Sequence, residues 1–88
     1  MPSNRLIEWQ GFAVKVGDHI ENYTVPQWGD APDDQLATDW KVNDCILAIK
    51  KYANRAGKNS RGVEEDIRDM LKIAHYACVA YSKMVSGG

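Results

Sequence analysis

Two amphipathic segments joined by a short turn constrain the fold of this chain most strongly. They cover about residues 42–56 and 62–85, and both repeat apolar residues every three or four positions, the period of an α-helix. Because only a few residues separate the segments, the two helices must run antiparallel. The sequence therefore predicts a mainly α fold built on a helical hairpin.

Both predicted helices have suitable ends. Asp44 lies in the first turn of the first helix, Arg55 lies in its last turn and Gly57 follows it, as the helix dipole and a left-handed cap favour. The second helix begins with Glu64, Glu65 and Asp66. Its apolar residues form a continuous stripe, typical of a helix that buries one face: Val63, Ile67, Met70, Leu71, Ala74, Ala77, Cys78, Tyr81 and Met84.

The first 41 residues are expected to contribute one or two helical segments and a long loop. Apolar residues between Leu6 and Tyr23 follow a helical period after Ser3, a suitable N-cap. Gly11 and Gly17 disfavour an unbroken helix, and residues 12–16 alternate as a short strand would. We favour a helix broken or kinked near Gly17, ended by Pro26, then a loop over residues 24–41 with one helical turn at 32–35. Residues 1–88 form a single helical domain.

Composition favours a cytoplasmic protein. No window approaches the roughly 18 apolar residues that a membrane span requires, and Met1 opens no targeting segment. The two cysteines, Cys45 and Cys78, fall within helical patterns. Because a small secreted domain that depends on disulfides usually contains more cysteines, we expect both to be free, buried thiols in a reducing compartment.

The charges are segregated along the chain. Residues 1–40 carry −5, residues 41–61 carry +5 and residues 62–88 carry −1. The basic middle either packs beside the acidic front half or faces an anionic partner. Net charge is negative and no recognition helix is evident beyond the basic hairpin segment, so DNA is not the expected partner.

The hairpin turn is the candidate binding site. Arg55, Lys58, Ser60 and Arg61 surround the start of the second helix, and Lys51 lies on the preceding basic helix. Helix N-termini and cationic side chains favour phosphate oxygens. The turn lacks the spacing of a phosphate-binding Gly-rich loop, and the alternative is a solvated turn that neutralises the acidic front half. The predicted ligand is an anionic, nucleotide-like molecule.

The sequence predicts no metal, cofactor or catalytic site. Asp66 and Asp69 share a helix face and are better explained by helix-dipole stabilisation than by magnesium. Cys45, His75 and Cys78 lack the paired spacing of zinc ligands. The aromatic residues are assigned to the core, to an interface of a homo-oligomer, or to stacking on a nucleobase.

Two segments carry a resemblance: Lys50-Lys51-Tyr52-Ala53-Asn54-Arg55, and Glu64-Glu65-Asp66 with the run from Asp69 to Ala77. They cover about half the chain and resemble small phage-encoded helical proteins of unknown function and MazG-like nucleotide pyrophosphohydrolases. The latter resemblance implies magnesium held by acidic pairs on two helices. Here only Asp66 and Asp69 have such spacing and the partner helix is basic, which argues against catalysis.

We therefore expect a non-enzymatic small binding protein. It would act as a phage-type inhibitor or sequestering protein against host defence, located in the host cytoplasm, and recognise a nucleotide-like ligand or a host protein. A homo-oligomer is expected because a chain of this length has only a small core. The alternative is a MazG-like, magnesium-dependent nucleotide pyrophosphohydrolase.

Overall fold

A computed structural model describes residues 1–30, 38–58 and 61–87, and all regular structure in these ranges is helical. Helix α1 covers Asn4–His19, a π-helical turn covers Ile20–Thr24 and α2 covers Val25–Trp28. Helices α3, Val42–Arg55, and α4, Val63–Val85, form the hairpin. Both α1 and α3 pack against α4, which confirms the mainly α fold.

Helix α1 begins where the sequence indicates but does not break near Gly17. Ser3 is the N-cap, and its side-chain oxygen accepts a hydrogen bond of 3.1 Å from the Leu6 backbone N–H. Neither Gly11 nor Gly17 adopts a positive φ, and no strand forms over 12–16. Each glycine costs a helix only about 1 kcal/mol relative to alanine, and the 16-residue helix continues through both.

Pro26 does not end the N-terminal helical region, contrary to expectation. The preceding turn widens, so that the Val25 backbone N–H donates to the Ile20 carbonyl oxygen, five residues back. Pro26 then occupies the start of α2, where a missing N–H is tolerated. The segment ends at Gly29, whose φ is 86°. The helical turn predicted at 32–35 lies outside the described residues.

The two helices of the hairpin begin and end within one residue of the predicted bounds. The Lys41 backbone N–H donates to Asp44 Oδ2 at 2.8 Å and closes the start of α3. Gly57, with φ of 76°, follows the end of α3, and Gly62, with φ of 103°, precedes α4. Both angles lie in the region that only glycine adopts readily.

The face of α4 that packs inward is not the apolar stripe seen in the sequence. Among the described residues the buried apolar side chains are Cys45, Tyr76 and Ala80, and Asp69 is buried with them. Much of the predicted stripe is exposed, with Val63 at 69% and Tyr81 at 67%. Cys78 is exposed too, so the expectation of two buried thiols is wrong for it. Periodicity locates apolar faces but cannot tell which face meets α3.

In the described part of the chain, no helix combines the length and the apolar character that crossing a membrane requires.

Candidate functional site

A cleft of about 740 Å³ lies between the end of the N-terminal helical region and the hairpin. Three parts of the chain line it: His19 to Trp28 with Trp40, the face of α3 from Asp44 to Tyr52, and the face of α4 from Glu65 to Tyr76 preceded by Arg61. The helix packing that brings these parts together therefore creates the cleft, which is of the size that small-molecule sites have.

Four aromatic rings form one connected array in the cleft lining. Trp40 stacks on Tyr76 with ring centroids 5.3 Å apart and planes 10° apart, and Tyr52 stacks on Tyr76 at 6.0 Å and 6°. Trp28 meets Trp40 edge-on at 5.7 Å. Offset stacking and edge-to-face contact are the favoured aromatic geometries. The array fixes the orientation of the cleft wall and ties Trp28 to the hairpin.

A second aromatic group comes from the N-terminal helical region. His19 stacks on Tyr23 with centroids 5.3 Å apart, and the Arg68 guanidinium lies 5.0 Å from the Tyr23 ring centroid. His19 is almost fully buried, and its Nδ1 has no hydrogen-bond partner. This group gives the cleft a polarisable surface that includes an unsatisfied imidazole nitrogen.

The cleft lining is positively charged. Among the described residues it contains four cations and two carboxylates, which gives +2 when the histidines are neutral: Lys51, Arg61, Arg68 and Lys72 against Asp44 and Glu65. Glu65 is held by Arg68 at 2.7 Å and by Arg61 at 3.2 Å. The two lysines lie near the Tyr52 ring centroid, Lys51 at 5.4 Å and Lys72 at 5.0 Å. The excess of cations favours an anionic occupant.

Burial disfavours the charged forms of several groups in the cleft. It lowers the pKa of Lys72, although nearby Asp69 opposes the shift. Burial also lowers the pKa of His75 and, together with the charge of Lys72, that of His19. Because both histidines start from 6.5, they are neutral at pH 7. An anion in the cleft would offset the desolvation of Lys72.

The predicted residue Arg55 is engaged by the protein itself. Its Nε donates to Asp69 Oδ2 at 2.9 Å and its Nη2 donates to Asp69 Oδ1 at 2.8 Å. Asp69 is fully buried, and the Arg55 hydrogen bond holds the pKa of this carboxyl below its usual value. Arg55 thus joins the end of α3 to the middle of α4 and lies beside the cleft, outside its lining.

The other predicted residues divide between the cleft and the turn. Lys51 and Arg61 are part of the cleft lining. Lys58 is exposed in the turn, where its backbone N–H donates to the Arg55 carbonyl oxygen at 3.0 Å, and it does not line the cleft. Ser60 lies outside the described residues. Of the four predicted residues that the structure describes, it therefore brings Lys51 and Arg61 to one site.

Sequence reasoning missed Arg68 and Lys72, and it did not place the aromatic residues. A signal was present, because residues 65, 68, 72, 75 and 76 recur at helical spacing and combine charged with aromatic side chains. Trp28 and Trp40 carried no such signal, since they lie in segments without regular periodicity. Their assignment to the cleft depends on the packing of α2 beside the hairpin.

No group of three or more histidine, cysteine or acidic side chains in the described ranges is arranged to hold a metal ion. Both oxygens of Asp69 accept hydrogen bonds from Arg55, which leaves the pair with Asp66 poorly suited to magnesium. Cys45 is buried while Cys78 is exposed, and both thiols are free.

Protein-family models, curated proteins and solved structures were all compared with this chain, and none of them matches it.

Proposed function

We propose that this chain is a non-enzymatic binding protein that takes an anionic, nucleotide-like molecule into the cleft between the N-terminal helical region and the hairpin. One observation carries the proposal: a connected array of aromatic rings and a net positive lining occupy the same cleft. Aromatic rings suit a nucleobase, with about 1–3 kcal/mol per stacked base, and lysine and arginine suit phosphate.

The cleft refines the site expected at the hairpin turn. Lys51 and Arg61 remain candidate ligand contacts, and Arg68 and Lys72 join them. Arg55 contributes indirectly, because its ion pair with Asp69 holds together the two helices that carry these cations. A ligand phosphate would replace the water lost around Lys72 on folding.

Sequestration is the role we propose for this binding. A protein that binds a nucleotide without converting it lowers the free concentration of that nucleotide. The resemblance to small phage-encoded helical proteins makes a signalling nucleotide of a host defence system the target we infer. The engagement of Asp69 by Arg55 favours this reading over magnesium-dependent hydrolysis.

Native mass spectrometry of the protein purified from cells tests the proposal first. We expect a retained mass in the nucleotide range that absorbs ultraviolet light and is released by denaturation. A ligand-free spectrum, together with no calorimetric binding of ATP or of cyclic dinucleotides, would overturn the proposal and favour a protein partner. Turnover of ATP that requires magnesium would favour the hydrolase.

Matched variants locate the site once a nucleotide is bound. We expect Arg68→Gln and Lys72→Gln each to raise the Kd about tenfold or more, since each removes a charge-assisted contact. Lys15→Gln is the control, because Lys15 is an exposed cation outside the cleft. A loss of affinity in Lys58→Gln alone would assign the site to the turn and not to the cleft.

A further inference from the structure

The outer side of α4 carries an apolar stripe that no part of the described chain covers. Its members are spaced alternately by four and three residues along the whole helix: Val63, Ile67, Met70, Ala74, Ala77, Tyr81 and Met84. Five of these are at least 41% exposed. This strict repeat, averaging 3.5 residues, is the pattern of a helix that packs along a second helix.

The stripe lies away from both surfaces already described. The face of α4 toward the core carries Asp69, Tyr76 and Ala80, and none of the stripe residues lines the cleft. A partner on the outer side of α4 would therefore leave the cleft open. Whether a partner covers the stripe can therefore be tested without a ligand in the cleft.

The chain exposes more surface area than a compact monomer of its mass, and the excess is large enough for an interface with a partner. A compact monomer of 9.9 kDa would expose about 5,200 Å², whereas this chain exposes 6421 Å². The first turns of α1 contribute to the excess of about 1,200 Å². A standard interface covers about 800 Å² on each partner, which fits within the excess. The radius of gyration of 14.1 Å also exceeds the roughly 12 Å of a compact chain of this length.

The stripe is complementary to itself when two copies of α4 run antiparallel. The stripe maps onto itself about a two-fold axis between residues 75 and 76, where Ala74 would face Ala77 of the second copy and small side chains would meet as the helices approach. Ile67 would then face Met84 of the second copy, and Met70 would face its Tyr81. The acidic first turn of each helix would lie near the last turn of the other, which carries Lys83. A parallel pair would place the two acidic turns together.

We propose that the outer face of α4 is the interface of a two-fold antiparallel dimer, and that a second copy of this chain is its partner. The dimer buries the exposed heptad stripe and leaves one open cleft on each protomer.

Sedimentation equilibrium of the full chain tests the interface with adjacent substitutions. We expect the wild type to have twice the mass of 9.9 kDa, or a whole-number multiple of that dimer mass. Tyr81→Glu should halve the dimer mass, because it places a charge within the stripe. Ser82→Glu adds the same charge at an exposed position off the stripe and should remain a dimer. Circular dichroism checks that both variants remain helical.

A monomeric wild type, an odd number of chains, or a dimer unaffected by Tyr81→Glu would overturn the proposal. Disulfide trapping tests the orientation with Met70→Cys and Tyr81→Cys, each made in a Cys78→Ser background and mixed in equal amounts. The antiparallel dimer predicts the mixed disulfide between the two variants. Homotypic disulfides at position 70 or 81 in preference to it would show a parallel pair and overturn the antiparallel arrangement.

Discussion

At the scale of single residues, the pair of Arg55 and Asp69 has the largest consequence for stability. Asp69 is fully buried, whereas the Arg55 side chain is 34% exposed, so only one charge has lost most of its water. Two hydrogen bonds from Arg55 compensate the Asp69 carboxylate for the water that it loses on burial. Without Arg55 the chain would keep a buried carboxylate whose remaining ion pair, among the residues that the structure describes, is with Lys72 at 3.9 Å.

Arg55→Ala should therefore destabilise the fold strongly. We expect the free energy of unfolding to fall by about 3 kcal/mol, the lower end for breaking a buried ion pair, as measured by urea denaturation. Arg5→Ala is the matched control, since Arg5 is exposed on α1, and it should change stability by less than about 0.5 kcal/mol. Equal effects of the two variants would contradict the structural role of Arg55.

His19 and His75 make stability depend on pH. The pKa of each lies below 6.5 in the folded state, so the unfolded chain binds more protons as the pH falls through 6.5. Stability is then lost on acidification. We expect the free energy of unfolding to decrease as the pH falls below 6.5, and His19→Gln to reduce that slope, both measured by urea denaturation. Stability that rises toward pH 5 would contradict the lowered pKa values.

At the scale of helices, the sequence predicts where a helix begins and ends better than which of its faces is buried. The bounds of α3 and α4 follow from charges, glycines and periodicity, and these local signals are confirmed. The N-terminal break was wrong because glycine is a weak signal inside a helix, and the π-helical turn that accommodates Pro26 has no simple residue pattern. The inward face of α4 was missed because Asp69 looks like a surface residue until Arg55 is placed beside it.

Two glycines should respond in opposite directions to replacement by alanine. Gly62 has φ of 103° and ψ of −179°, a conformation that costs other residues about 1–3 kcal/mol, so Gly62→Ala should lower stability by that amount. Gly17 lies within α1, and an added Cβ would meet no atom within 4 Å. Gly17→Ala should raise stability by about 0.5–1 kcal/mol. Thermal unfolding of both variants measures the difference, and a common sign would contradict these backbone assignments.

At the scale of the whole molecule, the sequence predicts which kinds of residue bind a ligand but not that they line one cleft. Lys51 and Arg61 were recognised by their charge, and the aromatic residues were recognised as a group. Trp28 and Tyr76 are separated by nearly fifty residues, so no local pattern could place them in one array. Their meeting depends on where α2 packs, and that is a property of the tertiary fold.

The widened turn at Ile20–Thr24 has a consequence for the alignment of the cleft. A π-helical turn inserts about one residue into a helix, and each residue advances an α-helix by about 100°. The turn therefore changes the direction in which the side chains after it, including that of Trp28, point around the helix axis. Removing one residue from this turn would leave the helix continuous while rotating Trp28 away from Trp40. The connected aromatic array thus depends on the number of residues in this single turn as much as on the identity of its rings.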